Sequence, residues 1–106
     1  MIDAAQTPRP RWSVYMLRCG DGSLYTGIAT DVPRRVTEHE RSPRGSKYLR
    51  GRGPLELVFQ SEIGDRSLAA RAESRIKGLG KEAKEQLIAS RGGLRDLLAD
   101  LDMTGL

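Results

Sequence analysis

Two tyrosines, an arginine, a histidine and a glutamate occur in an order that could serve phosphate chemistry. Tyr15 and Tyr25 flank Gly20-Asp21-Gly22. Arg35 and His39 follow, spaced by one helical turn, and Glu73 comes later. Phosphodiester hydrolysis needs an activated water, charge stabilisation on the phosphate and help for the leaving oxygen. The planar fork of an arginine matches phosphate oxygens and stays charged. A phenol can orient or deprotonate the water, but an unperturbed one titrates near ~10, so a base role needs positive charge beside it. An imidazole can serve as acid, base or hydrogen-bonding group. A lone carboxylate can hold Mg²⁺, which keeps several waters and often takes only one or two protein ligands. Each residue also has a plainer reading. The tyrosines could be cross-strand packing partners, and Arg35 a solvated helix residue. His39, the only histidine, could be a hydrogen-bonded helix residue, and Glu73 a surface carboxylate bridging Arg75 or Lys77. Residue type and spacing alone favour the plainer readings of His39 and Glu73.

The elements that must position these groups begin with a hairpin. Trp12 to Cys19 and Ser23 to Ile28 alternate in apolar character around a Gly/Asp gap, a hairpin signal. A three-residue loop, 20 to 22, sets Tyr15 opposite Gly27 and Leu17 opposite Tyr25. The two tyrosines then become diagonal neighbours on one face, about 7–8 Å apart between backbones. A one-residue change in the loop would send them to opposite faces. Leu24, Thr26 and Ile28 take the other face. Gly27 is expected to leave an open space beside Tyr15 for a phosphate or water. Thr30-Asp31-Val32-Pro33 starts a helix, with a capping side chain ahead of an early proline. Val32 and Val36 mark its apolar stripe. His39 falls near that stripe, Arg35 at its edge and Arg34 on the far side, where it can pair with Glu38.

Between Arg34 and Arg52 seven basic residues face two acidic ones. This local excess of five accounts for the whole-chain net charge of +4. Breakers at Ser42-Pro43-Arg44-Gly45 and Gly51-Arg52-Gly53-Pro54 make the segment mostly loop. Arg44, Lys47, Arg50 and Arg52 are candidate backbone contacts to nucleic acid, and Tyr48 can stack on a base. The plainer reading is a solvated loop. Leu55 to Glu62 reads as a third strand, with Leu55, Leu57 and Phe59 on the buried face. Asp65 caps a helix whose apolar face is Leu68, Ala69, Ala72, Ile76 and Leu79. Glu73 lies at the border of that face, and Lys77, one turn on, could reach phosphate. Gly78 and Gly80 end it. Lys81 to Ser90 is a further helix. Leu94, Leu97, Leu98 and Leu101 recur as a short amphipathic helix, for packing on the domain or for a protein partner or self-association.

The ordered set now resembles a known family. Val14-Tyr15, then Tyr25-Thr26-Gly27, then a helix with Arg35 and His39, then Glu73, looks like the GIY-YIG nuclease domain, over about residues 12 to 90. Small single-domain bacterial members of poorly defined role are the nearest type. Ser13 stands where the first motif has Gly, Thr26 where a branched apolar residue is usual, and the chain contains no Asn, which several members place after the catalytic Glu. The resemblance implies an α+β fold: a small three-stranded antiparallel sheet flanked by helices, packed mainly on one face. It implies Tyr15, Tyr25, Arg35, His39 and Glu73 as catalytic residues, with Glu73 holding Mg²⁺ or Mn²⁺. Which tyrosine is the base stays open. The implied activity is metal-dependent endonucleolytic hydrolysis of DNA, with selectivity for branched or nicked structures in repair or processing. The alternative is a nucleic-acid-binding module with a weak or inactive site, which Ser13 and the lack of Asn favour. A protein-interaction domain built on the C-terminal leucines is the third reading.

Composition sets the outer bounds. At 106 residues the chain is one small domain. It divides into an arm at 1–11 expected to be disordered, a nuclease-like domain at 12–91, and a C-terminal helix and tail at 92–106. One cysteine, Cys19, excludes an internal disulfide framework and a multi-cysteine zinc site. Cys19 reads as a buried or half-buried thiol with no base beside it. A cytoplasmic location is the expectation from this usage. No apolar run approaches the ~20 residues of a membrane span, and residues 1–11 lack the apolar core of a secretory signal. The pI near 9.6 permits a polyanion partner. Neutralising Arg44, Arg50 and Arg52 together should weaken nucleic-acid binding and flatten its salt dependence. A salt titration of binding checks this, and an unchanged slope would assign these residues to a solvated loop.

Overall fold

The computed structural model describes residues 10–41, 49 and 53–90. The elements run β1 (Trp12–Arg18), β2 (Leu24–Ala29), α1 (Val32–Arg41), β3 (Glu56–Gly64), α2 (Arg66–Lys77) and α3 (Lys81–Ser90). The three strands form one antiparallel sheet in the order β2-β1-β3. The fold is α+β. No described helix is long and apolar enough to cross a membrane. Arg44, Lys47, Tyr48, Arg50 and Arg52, residues 1–9 of the arm and the leucine helix at 94–101 lie outside the described residues.

The hairpin turn is closed by two backbone hydrogen bonds. Cys19 N–H donates to Ser23 O at 2.8 Å, and Gly22 N–H donates to Cys19 O at 2.9 Å. Gly22 has φ of 87°, the left-handed conformation that a glycine takes without steric cost. The Asp21 carboxylate accepts from the Ser23 amide and hydroxyl. The resulting register pairs Tyr15 with Gly27 and Leu17 with Tyr25, as the three-residue loop requires.

β1 is covered on both faces. Val14, Tyr15, Met16 and Leu17 are all buried. Val14 and Met16 pack with Phe59, Ile76 and Leu87, beneath α2 and α3. Tyr15, Leu17 and Cys19 pack with Ala29, Val32 and Leu49, on the α1 side. Two of the three helices, α2 and α3, therefore pack on one face of the sheet and α1 on the other. A middle strand with no polar side chain from Val14 to Leu17 other than a phenol leaves neither face fit for water.

Three local expectations change. The strand ends differ by one or two residues from the sequence boundaries. Leu55, Leu57 and Phe59 do not share a face. A register shift sets Met16 opposite Phe59 but Leu17 opposite Leu57, leaving Val58 as the extra residue of a bulge. Phe59 and Val58 then join the α2–α3 core, Leu55 the other, and Leu57 is 40% exposed. Leu68 is not buried with Ala69, Ala72 and Ile76. It lies in the first turn of α2, over Gly64, and is 36% exposed.

The helix starts follow from their caps. Asp31 Oδ1 accepts from Arg34 N–H at 3.1 Å, and Asp65 Oδ1 from Leu68 N–H at 2.9 Å. Each satisfies an amide that the helix itself cannot. α3 is locked to β1 by a two-pronged pair between Arg18 and Glu85, both bonds at 2.7 Å. Two substitutions rank these contributions. Asp65→Ala should lower stability by about 1 kcal/mol through the lost cap, and Ile76→Ala by about 2–5 kcal/mol through the cavity left under the sheet. Denaturant unfolding of both variants checks the order.

Candidate active site

The register and α1 bring four of the five sequence candidates together. Tyr15 projects from the middle strand on the α1 side, and Tyr25 from β2 on the same side. Their ring centroids are 6.3 Å apart. His39 closes the triangle from α1, 6.2 Å from Tyr15 and 5.2 Å from Tyr25, edge-on to the latter. The Tyr15 hydroxyl and His39 Nε2 lie 2.8 Å apart in a buried hydrogen bond. α1 can deliver His39 because Val32 anchors its first turn and His39 lies two turns on along the same side.

Gly27 does not hold open space. A Cβ built there would stand 2.6 Å from the Tyr15 hydroxyl oxygen. The Tyr15 ring lies across the glycine and occupies the room that its missing side chain leaves. Gly27 thus serves the packing of the phenol rather than the approach of a substrate.

Arg35 stands at the edge of this cluster, with its side chain one-third exposed. It donates through Nη1 to Glu38 Oε1 at 2.9 Å. Arg34 is three-quarters exposed and sits 3.7 Å from the other Glu38 oxygen. Glu38 is therefore shared, and its closer partner is Arg35 rather than Arg34. The i,i+3 spacing of Arg35 and Glu38 carries that signal, which the i,i+4 spacing of Arg34 obscures.

Electrostatics set the resting proton positions. Burial pushes the Tyr15 phenol well above its ordinary pKa, and Tyr25 adds to the shift. Arg35 pulls the other way without reversing it. Burial and the Arg35 charge lower His39, with Glu38 opposing. At neutral pH the phenol keeps its proton and the imidazole is uncharged, so Nε2 accepts from Tyr15 in the tautomer that carries its proton on Nδ1 and donates to it in the other. A positive charge from Arg35 alone does not make Tyr15 a phenolate.

Glu73 is carried by α2 rather than by the hairpin or α1. α2 packs through Ala69, Ala72 and Ile76, and Ile76 belongs to the core on the face away from the two tyrosines. Glu73 is about one-quarter exposed and pairs with Lys77 Nζ at 3.3 Å. This is the surface pairing that spacing alone favours. Lys77 is 56% exposed and accessible to solvent. Among the described residues no group of three or more His, Cys, Asp or Glu gathers as a metal site. The donor set at Glu73 is one hard, accessible carboxylate oxygen pair, which fits a largely hydrated cation and not a fully protein-ligated one. Cys19 is a buried free thiol.

One feature of this surface is not signalled by motif. Trp12, Ile28, Ala29, Thr30, Asp31, Arg34, Arg35 and Glu38 line an open cleft of about 330 Å³ beside the ring cluster. Trp12 opens β1, and only its identity as the single tryptophan marks it in the sequence.

The same arrangement of elements has relatives. Residues 11–86 match the family model described as the GIY-YIG catalytic domain. The protein named UPF0213 protein YhbQ of Escherichia coli K12 is 52% identical over 90 residues, covering 85% of this chain and 89% of that one. The solution NMR structure of UPF0213 protein BH0048 from Bacillus halodurans is 46% identical with a TM-score of 0.51, covering 78% of this chain and 87% of that one. That of EF2693 from E. faecalis is 35% identical with a TM-score of 0.52, covering 74% and 84%. YhbQ and BH0048 share the family designation UPF0213. A match over residues 11–86 spans β1 to α3 and includes both tyrosine motifs, Arg35, His39 and Glu73: the chain belongs to the GIY-YIG catalytic domain family, whose members are generally nucleases.

Proposed function

We propose that this protein is a metal-dependent endonuclease that hydrolyses DNA phosphodiester bonds. The observation that carries this reading is the convergence of Tyr15, Tyr25, His39 and Arg35 from three elements on one face of the sheet. Ordinary cross-strand packing would explain the two rings. It would not call for a buried phenol hydrogen-bonded to a neutral imidazole beside a guanidinium.

With the His39 proton on Nδ1, the Tyr15–His39 pair can relay a proton from phenol to imidazole. Tyr15 passes its proton to His39 Nε2 as its oxygen accepts one from the attacking water, so the phenolate need not exist at rest. This makes Tyr15 the proton acceptor for water and His39 the acceptor behind it. Tyr25 stands beside both rings and fixes their orientation. Arg35 is the candidate clamp on the scissile phosphate. At rest its fork is held by Glu38, so an arriving phosphate replaces a carboxylate rather than water. Glu73 would hold Mg²⁺ or Mn²⁺, which when bound supplies charge neutralisation at the phosphate and lowers the pKa of a bound water. Selectivity for branched or nicked DNA in repair or processing is the family expectation for the substrate.

A second reading is favoured by the Glu73–Lys77 pair. A carboxylate neutralised by its own helix suits a nucleic-acid-binding module with a weak site. Cleavage of labelled single-stranded, duplex, flap and four-way-junction DNA, with Mg²⁺, Mn²⁺ or chelator, separates the two. The expected result is metal-dependent cleavage that Glu73→Ala abolishes while binding is spared. Salt-sensitive binding without cuts would select the binding module, and cuts undiminished in Glu73→Ala would remove Glu73 from the site.

The pH dependence follows from His39. Its native pKa lies below the ordinary value of about 6.5. Below that value the unfolded chain binds more protons than the folded one, so His39 contributes stability above ~6.5 that is lost as pH falls toward its native pKa. The cleavage rate should likewise hold through pH 6.5 and fall only in more acid solution, when Nε2 can no longer accept. His39→Gln should lose the acid-side drop in thermal stability that is due to the imidazole, and cut more slowly by about 10²–10⁴-fold. Melting curves and rates at pH 5 to 8 measure both. A wild-type and variant pair with parallel stability profiles would exclude the assignment.

A further inference from the structure

The cleft beside the ring cluster has a composition that the proton relay and the phosphate clamp do not use. Trp12 lines one side. Arg34, Arg35 and Glu38 of α1 line it too, with Thr30 and Asp31 from the turn before that helix. Its volume of about 330 Å³ lies at the lower end of the ~300–1,000 Å³ range of small-ligand sites, room for one nucleotide unit and not for a duplex. Arg35 belongs both to this cleft and to the tyrosine cluster, through its influence on Tyr15 and His39. A chain whose phosphate sits on Arg35 therefore has its neighbouring nucleotide at the cleft.

The indole is held for such a role. The Arg66 guanidinium lies 5.5 Å from the Trp12 ring centroid, a cation–π distance, and Arg66 does not line the cleft. Arg66 lies over the ring of Trp12, and Trp12, half-buried, is among the residues that line the cleft. Arg34 is three-quarters exposed, and among the described residues it has a long ion pair to a carboxylate that Arg35 holds more closely. Asp31 is committed to capping α1 through the Arg34 amide. The cleft thus offers an aromatic platform and a cation near solvent, the two features that bind single-stranded polynucleotide without sequence preference.

We propose that this cleft is a subsite for an unpaired nucleotide next to the scissile phosphate, with Trp12 stacking on its base and Arg34 contacting its phosphate. The inference rests on the nuclease reading and extends it to substrate class. A base can reach Trp12 only when it is out of a duplex stack, so the substrate is single-stranded, frayed or branched at the site of attack.

Trp12 is the sole tryptophan, so its emission reports the cleft alone. The test titrates the full-length protein with a dT decamer and with a fully abasic decamer of the same length. It follows emission and, with end-labelled oligonucleotides, anisotropy. The dT decamer should quench Trp12 and the abasic one should not. Trp12→Ala should weaken dT binding by about fivefold or more and leave abasic binding unchanged, while Trp12→Phe restores most of the loss. Arg34→Gln should weaken both probes alike and reduce the salt slope by about one. Equal loss of both probes in Trp12→Ala would mean a structural role for the indole and overturn the subsite, as would unaltered dT affinity. Wild-type binding of both probes with unchanged emission would remove the subsite and leave the nuclease reading standing. Binding of neither probe would overturn the subsite, and the nuclease reading would then be decided by the cleavage assay on duplex and branched DNA.

Discussion

A phenol in the middle of a sheet is the constraint on which the rest depends. The Tyr15 side chain is buried, yet its hydroxyl must keep a hydrogen bond. Leaving such a group unpaired costs about 1–3 kcal/mol, a large share of what holds a domain of this size together. His39 supplies the partner, and in doing so fixes how α1 lies over β1. The ring needs a place to lie, and Gly27 supplies it by having no side chain. The hairpin must deliver Gly27 opposite Tyr15, and the three-residue turn does so. One buried oxygen therefore links turn, register, helix placement and the protonation of two groups.

The two faces of β1 divide the work. Val14 and Met16 build an apolar core with α2 and α3. Tyr15 and Leu17, one residue out of phase, build the face that carries the rings, the imidazole and the guanidinium. Period-two alternation keeps the polar cluster out of the main core while seating it on the most rigid strand. Arg18 and Glu85, at the end of that strand, brace it against α3 by a paired contact open to solvent at about one-third. Its worth lies in geometry more than in energy, since ion pairs at that exposure contribute little.

Much of this was legible in residue order. Gly20-Asp21-Gly22 contains the register, because a three-residue loop admits one set of partners. Asp65 and Asp31 mark their helix starts, and the 100° spacing separates His39 and Arg35 from Arg34. Lys81 to Ser90 matches its sequence bounds. The remainder depends on quantities that spacing does not contain. The space beside Gly27 is decided by how the Tyr15 ring lies. The bulge opposite Met16 and Leu17 is a local pairing choice, and it separates Phe59 from Leu55. The placement of helices on both faces follows from which stripe meets which side of the sheet. The preference of Glu38 for Arg35 over Arg34 turns on a distance difference within one helical turn. Four of the five candidate residues converge as their order suggests, whereas Glu73 stands on a helix whose buried stripe belongs to the other face.

The hairpin tip is closed from several directions. A Cβ at Gly20 would stand 2.6 Å from the Gly53 carbonyl oxygen, so the turn abuts the chain that leads into β3. Lys81 donates to the Gly22 carbonyl from the start of α3, and Asp21 binds Ser23 across the turn. A surface loop of three residues would ordinarily be the easiest place in a small domain to accept extra sequence. Here an added residue would have to displace two other segments and would rotate Tyr25 off its face. The tip is a closed joint in the architecture, so new recognition elements or fused modules have to be accommodated elsewhere along the chain.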